Sequence, residues 1–226
     1  MGSMNYIKEL GAIYLERQDF FIPLFFEHLR ISFTALLIVV ILGIGTGIVM
    51  SRNEPFAKSV LVIVSVMYTI PSIALLGIFV GITGIGETSA LIVIVIYGLL
   101  PIVRATYTGI TEVDQDVKEV AVAMGTTPFQ LLYKIELPLA LPVIFSGIRT
   151  VAVMCIALTG IAAFIGAGGM GVAIWRGIAT NNTQMTVLGS LFVAALASVT
   201  DIFLGMAEKN IIRYKKNNKL NNNNIL

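Results

Sequence analysis

Five stretches of this chain carry no charged residue: Ile31 to Ser51, Ser59 to Gly86, Thr88 to Val103, Thr150 to Trp175 and Gly177 to Thr200. They are continuously apolar and lack the ten-residue alternation of barrel strands, so each reads as a helix. About 20 helical residues cross the roughly 30 Å hydrocarbon core of a bilayer. The third run reaches that length if Arg104 extends its charge to the interface. The pattern predicts five membrane helices, at about 29–51, 59–81, 88–108, 139–165 and 185–207, in an all-α integral membrane protein. Ser51 to Lys58 and the glycine-rich Gly81 to Glu87 read as short turns, and Gly166 to Gln184 as a longer loop or re-entrant segment.

Residues 1–28 are mixed in character, and the apolar FFIPLFF at 20–26 is interrupted by Pro23. That segment is expected to lie at the interface as a separate helix, after a Met1-Gly2-Ser3 leader that resembles a cloning scar. The membrane domain spans 29–208, and residues 209–226 form a basic, asparagine-rich tail whose end is expected to be disordered.

The composition agrees with this class: 57% of the 226 residues are hydrophobic and 12% charged, against about 25% charged in soluble domains. The distribution of charge sets the orientation. With the C-terminus in the cytoplasm, every lysine and arginine except Lys8, Arg17, Arg30 and Arg176 lies on the inner side. The N-terminus is then outside. The single Cys155 excludes an intrachain disulfide, no metal cluster is evident, and His28 reads as an interfacial histidine.

One polar segment interrupts the apolar pattern. Glu112 to Lys134 reads as two short helices: Asp114 to Met124, acidic at its start, and a second from Phe129 to about Ile135. Gly125 permits the turn between them, Thr126 or Thr127 can cap the second helix, and Pro128 suits its first position. Phe129, Leu132 and Tyr133 are expected on one side, and Leu137-Pro138 and Leu141-Pro142 are expected to end the helix before the next span. The residues alone allow either a solvated loop or a small amphipathic element that packs into a groove on another protein.

The segment resembles the cytoplasmic motif of ABC importer permeases: Glu-Ala-Ala, three residues, Gly, nine residues, Ile, one residue, Leu-Pro. Here Glu119-Val120-Ala121, Gly125, Ile135 and Leu137-Pro138 keep every spacing, with Val120 the one departure. The resemblance implies a type I importer permease fold in which 112–138 is the coupling loop and its helix seats in an ATPase subunit. Glu119, Ala121, Gly125, Phe129, Leu132, Ile135 and Pro138 would then carry the coupling. It also implies a second permease subunit, two ABC ATPase chains that bind ATP and Mg, and an extracytoplasmic substrate-binding protein. YTIPSIALLGIF at 68–79, YGLLPIVRATYTGI at 97–110, and GIRT with AAFIGAGGMG at 147–150 and 162–171 resemble the osmoprotectant branch, which takes up glycine betaine, carnitine and choline.

Other signals are weaker. Pro71 and Pro101 break apolar runs, as happens where helices line a cavity, so Tyr68, Pro71, Ser72 and Tyr97 are candidate path residues. A tyrosine there either packs between helices or faces a quaternary ammonium. Gly166 to Gly171 matches GxGxxG, but its flanks read as membrane-spanning and position 191 is a leucine, where a dinucleotide site needs a preceding strand, a following helix and an acidic residue about 20 positions on. No GxxxxGK[ST] stretch occurs, so ATP would be hydrolysed on a separate chain, and no catalytic constellation or nucleic-acid surface is present. Asp201 and Arg149 read as structural polar groups at the inner ends of their spans. The rival readings are an ATP-independent channel or carrier, and a membrane scaffold.

Overall fold

Thirty-three residues, Gln18–Met50, form one unbroken helix about 50 Å long. A computed structural model describes residues 3–223, with side chains placed for 9–210. Within it the chain runs α1 (Ser3–Glu16), α2 (Gln18–Met50), α3 (Glu54–Thr69), α4 (Ser72–Thr83), α5 (Glu87–Thr111), α6 (Gln115–Ala123) and α7 (Pro128–Leu131). A π-turn (Leu132–Glu136) then leads into α8 (Leu137–Ala162), a 3-10 turn, α9 (Gly171–Ala179) and α10 (Thr183–Asn223). The leader residues Met1 and Gly2, and the asparagine-rich end beyond Asn223, lie outside the described residues.

Four helical stretches, Gln18–Met50, Glu87–Thr111, Pro128–Ile165 and Thr183–Asn210, are each long and apolar enough to span a bilayer. The fifth crossing is a pair, α3 and α4, bent by 98° at Ile70-Pro71. It crosses rather than turns back. The turn before α3 joins Glu136 through Arg52, and Glu87, just past α4, joins Arg30 at 2.7 Å, about 30 Å along α2 from its Met50 end. The five expected spans are therefore present, with the second one broken.

Helices α2, α5 and α8 form the centre. Ile31, Ala35 and Val39 of α2 pack with Ile94 and Ile102 of α5 and with Val151 and Cys155 of α8, all buried. Small residues let α2 and α5 approach closely: a methyl at Gly43 would collide with Ile102, and one at Gly47 would lie 2.5 Å from Thr106 Cβ. The outer surface remains apolar, with Phe33, Ile41, Val62 and Phe203 more than half exposed. That suits lipid as the surrounding solvent.

The N-terminal segment differs from expectation. Residues 18–28 are not a separate interfacial helix but the first turns of α2. Pro23 is tolerated because it lies in the second turn, where its missing N–H deprives only the Asp19 carbonyl of a helical partner. The phenylalanines around it are part of the packing. Phe21 is buried with Leu10 of α1, Met170, and Met185 and Leu188 of α10, and its ring lies 5.9 Å from that of Phe192.

His28 is likewise not an interfacial residue. It is fully buried and bonded on both nitrogens. The Met170 N–H donates to Nδ1 at 3.2 Å, which leaves Nε2–H to donate to the Ile156 carbonyl at 3.1 Å. Its neighbour Glu27 accepts the Gly169 N–H at 2.8 Å. The glycine run 166–171 thus wraps the Glu27-His28 corner, and Gly168, at φ +90°, sits where any side chain would strike the Glu27 carboxylate. His28→Ala would leave the Met170 N–H buried without a partner and take from the Ile156 carbonyl the bond it receives beyond its helical one. It should reduce stability by about 2–3 kcal/mol, read as a lower thermal midpoint of the purified protein. An unchanged midpoint would mean that His28 does not hold this loop.

Candidate functional site

The end of the bundle opposite the glycine loop carries the polar segment, and its local structure follows from its sequence. Asp114 caps α6 by accepting the Asp116 N–H at 2.9 Å. Lys118 reaches back to the last carbonyls of α5, Ile110 and Thr111, at 3.3 Å each. Gly125, at φ +84°, ends α6 in the left-handed region. The Gly125 N–H bonds to the Val122 carbonyl, and the Thr126 N–H to the Ala121 carbonyl. This pair of bonds is a Schellman C-cap. Thr127 then caps α7: its hydroxyl accepts the Gln130 N–H at 3.3 Å while the Gln130 side chain accepts the Thr127 N–H at 3.0 Å, with Pro128 next. Two short helices are held in a fixed angular relation by hydrogen bonds to their own backbone.

The motif residues divide by face. Ala121 is buried and anchors α6, whereas Glu119 is exposed, receiving one weak bond from Gln115 at 3.4 Å. Val120, at the position where the motif has alanine, is 61% exposed, so its extra methyls meet no packing constraint. Phe129 and Tyr133, four residues apart, stack with ring planes 2° from parallel and face outward, 73% and 66% exposed. Leu132 does not join them. It turns inward against the cluster of Ile110, Ala140 and Ile144. Ile135 is half-buried and Pro138 exposed. Together with exposed Val122 and Met124, the ring pair forms an apolar surface on an otherwise polar element, a mark of a docking site.

Leu137-Pro138 and Leu141-Pro142 do not end the helix. Pro128–Ile165 runs as one span because the π-turn absorbs the disruption: the Leu137 N–H bonds to the Leu132 carbonyl, five residues back, directly before Pro138. Within that turn Glu136 is buried, and its carboxylate pairs with both terminal nitrogens of Arg52. This pair fastens the π-turn after α7 to the α2–α3 turn. Behind it a cavity of about 570 Å³ is lined by Arg52, Ile110, Lys118, Glu119, Leu131 and Glu136. Sequence reasoning missed Glu136, which occupies the unspecified place before Leu-Pro; a carboxylate in so apolar a context was the available signal.

The four path candidates meet at the break between α3 and α4. The Tyr97 hydroxyl donates to the Ile70 carbonyl that the break exposes, and the Tyr68 and Tyr97 rings lie 5.6 Å apart. Pro71 caps α4 and Ser72 starts it. Tyr97 is buried with its hydroxyl engaged, while Tyr68 remains 43% exposed. Tyr68 lines a second cavity of about 520 Å³ between α5 and α8, with Pro101, Arg104, Thr108, Ser146 and Thr150. Arg149 and Asp201 form a bidentate pair at 2.6 and 2.7 Å, joined by Glu208 at 3.1 Å, so Arg149 binds carboxylates of α10 rather than helix carbonyls.

A multi-pass helical chain with an apolar outer surface and a capped polar helical pair at one end of its bundle defines a class: an integral membrane protein of the all-α kind. Residues 39–213 match the family of binding-protein-dependent transport system inner membrane components. The chain is 37% identical, over 214 residues, to the glycine betaine/carnitine/choline transport system permease protein OpuCD of Bacillus subtilis (strain 168), covering 94% of this chain and 93% of that protein. It is 40% identical, over 169 residues, to the ergothioneine transport permease/ergothioneine binding protein EgtU of Helicobacter pylori (strain G27), covering 75% of this chain and 31% of that one. Its fold resembles a chain of the MetNI methionine ABC transporter with a TM-score of 0.74 at 21% identity, covering 82% of this chain and 93% of that one. The chain belongs to the family of binding-protein-dependent transport permeases and has the fold of an ABC importer membrane subunit.

Proposed function

We propose that this permease forms half of the path of an ATP-driven importer for quaternary-amine osmoprotectants such as glycine betaine, carnitine and choline. ATP and Mg bind on a separate ATPase chain, and the α6–α7 element faces the cytoplasm and seats in that chain. The N-terminus is outside, where a substrate-binding protein delivers solute, and a second permease subunit completes the path. The observation that carries this reading is the fully spaced motif folded as a capped helical pair that displays Phe129 and Tyr133. The osmoprotectant assignment draws on the similarity to OpuCD. The similarity to EgtU favours a second reading in which the solute is another betaine, ergothioneine.

The test is uptake by vesicles containing the assembled transporter, together with a cross-linker carried by Phe129→Cys. ATP-dependent uptake of glycine betaine, and capture of the ATPase chain at position 129, are expected. Uptake that proceeds without ATP, or a position 129 that never captures the ATPase, would replace this reading with a channel or carrier. Ergothioneine as the only carried solute would select the second reading.

A further inference from the structure

Three arginines lie within the spanning helices α2, α5 and α8, and two of them hold carboxylates. Arg30 pairs with Glu87, and Arg149 with Asp201 and Glu208. Arg104 pairs with none among the described residues, although it lies seven residues inside the end of α5, about 10 Å along the helix. Arginines within membrane helices that hold no carboxylate face the bundle interior or a water-filled cavity, and they mark substrate paths. Arg104 lines the 520 Å³ groove between α5 and α8, and Tyr68 stands in the same groove.

The groove is built rather than incidental. On α5 its residues recur at helical spacing (Leu100, Pro101, Arg104, Ala105, Thr108), as they do on α8 (Val143, Ser146, Gly147, Thr150). Its floor is the crossing of the two helices, where a methyl at Gly147 would lie 2.5 Å from Ala105 Cβ. Tyr68 is held beside the helix break by its contact with Tyr97, whose own hydroxyl is committed to Ile70. The exposed Tyr68 ring therefore offers a face, and Arg104 offers a fork of donors with no acceptor among the described residues.

A ring face attracts a quaternary ammonium, and a free guanidinium binds a carboxylate, often through two parallel bonds. We infer that the α5–α8 groove binds a zwitterion that carries both groups, with Arg104 on the carboxylate and Tyr68 on the trimethylammonium. This rests on the osmoprotectant reading above and sharpens it: Arg104 distinguishes carboxylate-bearing betaines from choline, which has no carboxylate. A phosphate from a lipid headgroup could also satisfy Arg104, but it would leave Tyr68 without a role and would not separate the two solutes.

The experiment uses the complete transporter, with its ATPase and binding protein, and measures uptake of labelled glycine betaine and labelled choline. Arg104→Gln should lower the glycine betaine rate at least about tenfold, while choline, where carried, changes less than about threefold. Arg104→Lys, which keeps the charge without the fork, should fall between. The amount of ATPase that co-purifies should not change. An unchanged ratio of the two rates, an equal loss of both, or loss of the ATPase from the variant would overturn the inference alone. So would choline uptake without glycine betaine uptake by the unsubstituted transporter. If that transporter carries neither solute, the osmoprotectant reading fails and the inference fails with it.

Discussion

Arg52→Leu should destabilise the permease by about 1–3 kcal/mol, the cost of leaving a buried acceptor without its donor, whereas Glu136→Leu should be far milder. The asymmetry comes from exposure. The Glu136 side chain is 3% exposed and that of Arg52 41%. Without Arg52, the Glu136 carboxylate stays inside the π-turn and loses the two-pronged partner that holds it. Without Glu136, Arg52 can turn its guanidinium to the solvent that it already reaches. Arg52→Lys should fall between the two, since an ammonium keeps the charge but not the two-pronged contact. Thermal unfolding of the three purified variants orders them directly. Equal losses for Arg52→Leu and Glu136→Leu would show that the carboxylate is not held by this pair. The expected order also has a functional consequence, because the pair is the side-chain link between the α2–α3 turn and the coupling element. Uptake should fall in the same order as stability.

Features of this protein that were legible from its sequence are those set by neighbours in the chain. Apolar runs of span length gave the crossings. Asp114, Gly125, Thr127 and Pro128 each act within four residues of themselves, so the capped helical pair could be read before any fold was known. Phe129 and Tyr133, four residues apart, could be placed on one side of the second helix from their spacing alone.

The remaining features depend on partners far away in sequence. His28 and Ile156 are 128 positions apart, Arg52 and Glu136 84, and Arg149 and Asp201 52. No local pattern marks those pairings. Proline was misjudged in one consistent direction. Pro23 was expected to interrupt its segment, and Pro138 and Pro142 to end a helix, but a proline removes one donor; an early helical turn absorbs that loss at Pro23, and the π-turn does so at Pro138. Only at Pro71 did the chain break sharply, and there a buried tyrosine hydroxyl supplies the lost bond to the Ile70 carbonyl. Leu132 fell on the wrong face because the π-turn begins there, and a helix of ordinary pitch would have carried it outward with Tyr133.

Gly125→Val should lower ATP-driven uptake at least about tenfold while leaving the thermal stability of the isolated permease nearly unchanged. Steric crowding is not the reason, since a Cβ added at this glycine meets nothing within 4 Å. The constraint is the backbone. At φ +84° a β-branched residue is strained, by about 1–2 kcal/mol or more. The chain relieves that strain by moving φ to negative values. Doing so breaks the bonds from the Gly125 and Thr126 N–H groups to Val122 and Ala121, which set the angle between α6 and α7. The stacked Phe129-Tyr133 surface then points elsewhere, and a partner shaped to receive it loses its grip. No side chain packs where a Cβ at Gly125 would stand, so the membrane bundle should melt nearly as before. Gly125→Asn separates backbone from side chain, because asparagine tolerates the left-handed region. It should retain most of the uptake. If valine proved as active as glycine, the α6–α7 element would not be the coupling lever. If asparagine were as inactive as valine, the left-handed turn would not be what makes glycine necessary at this position.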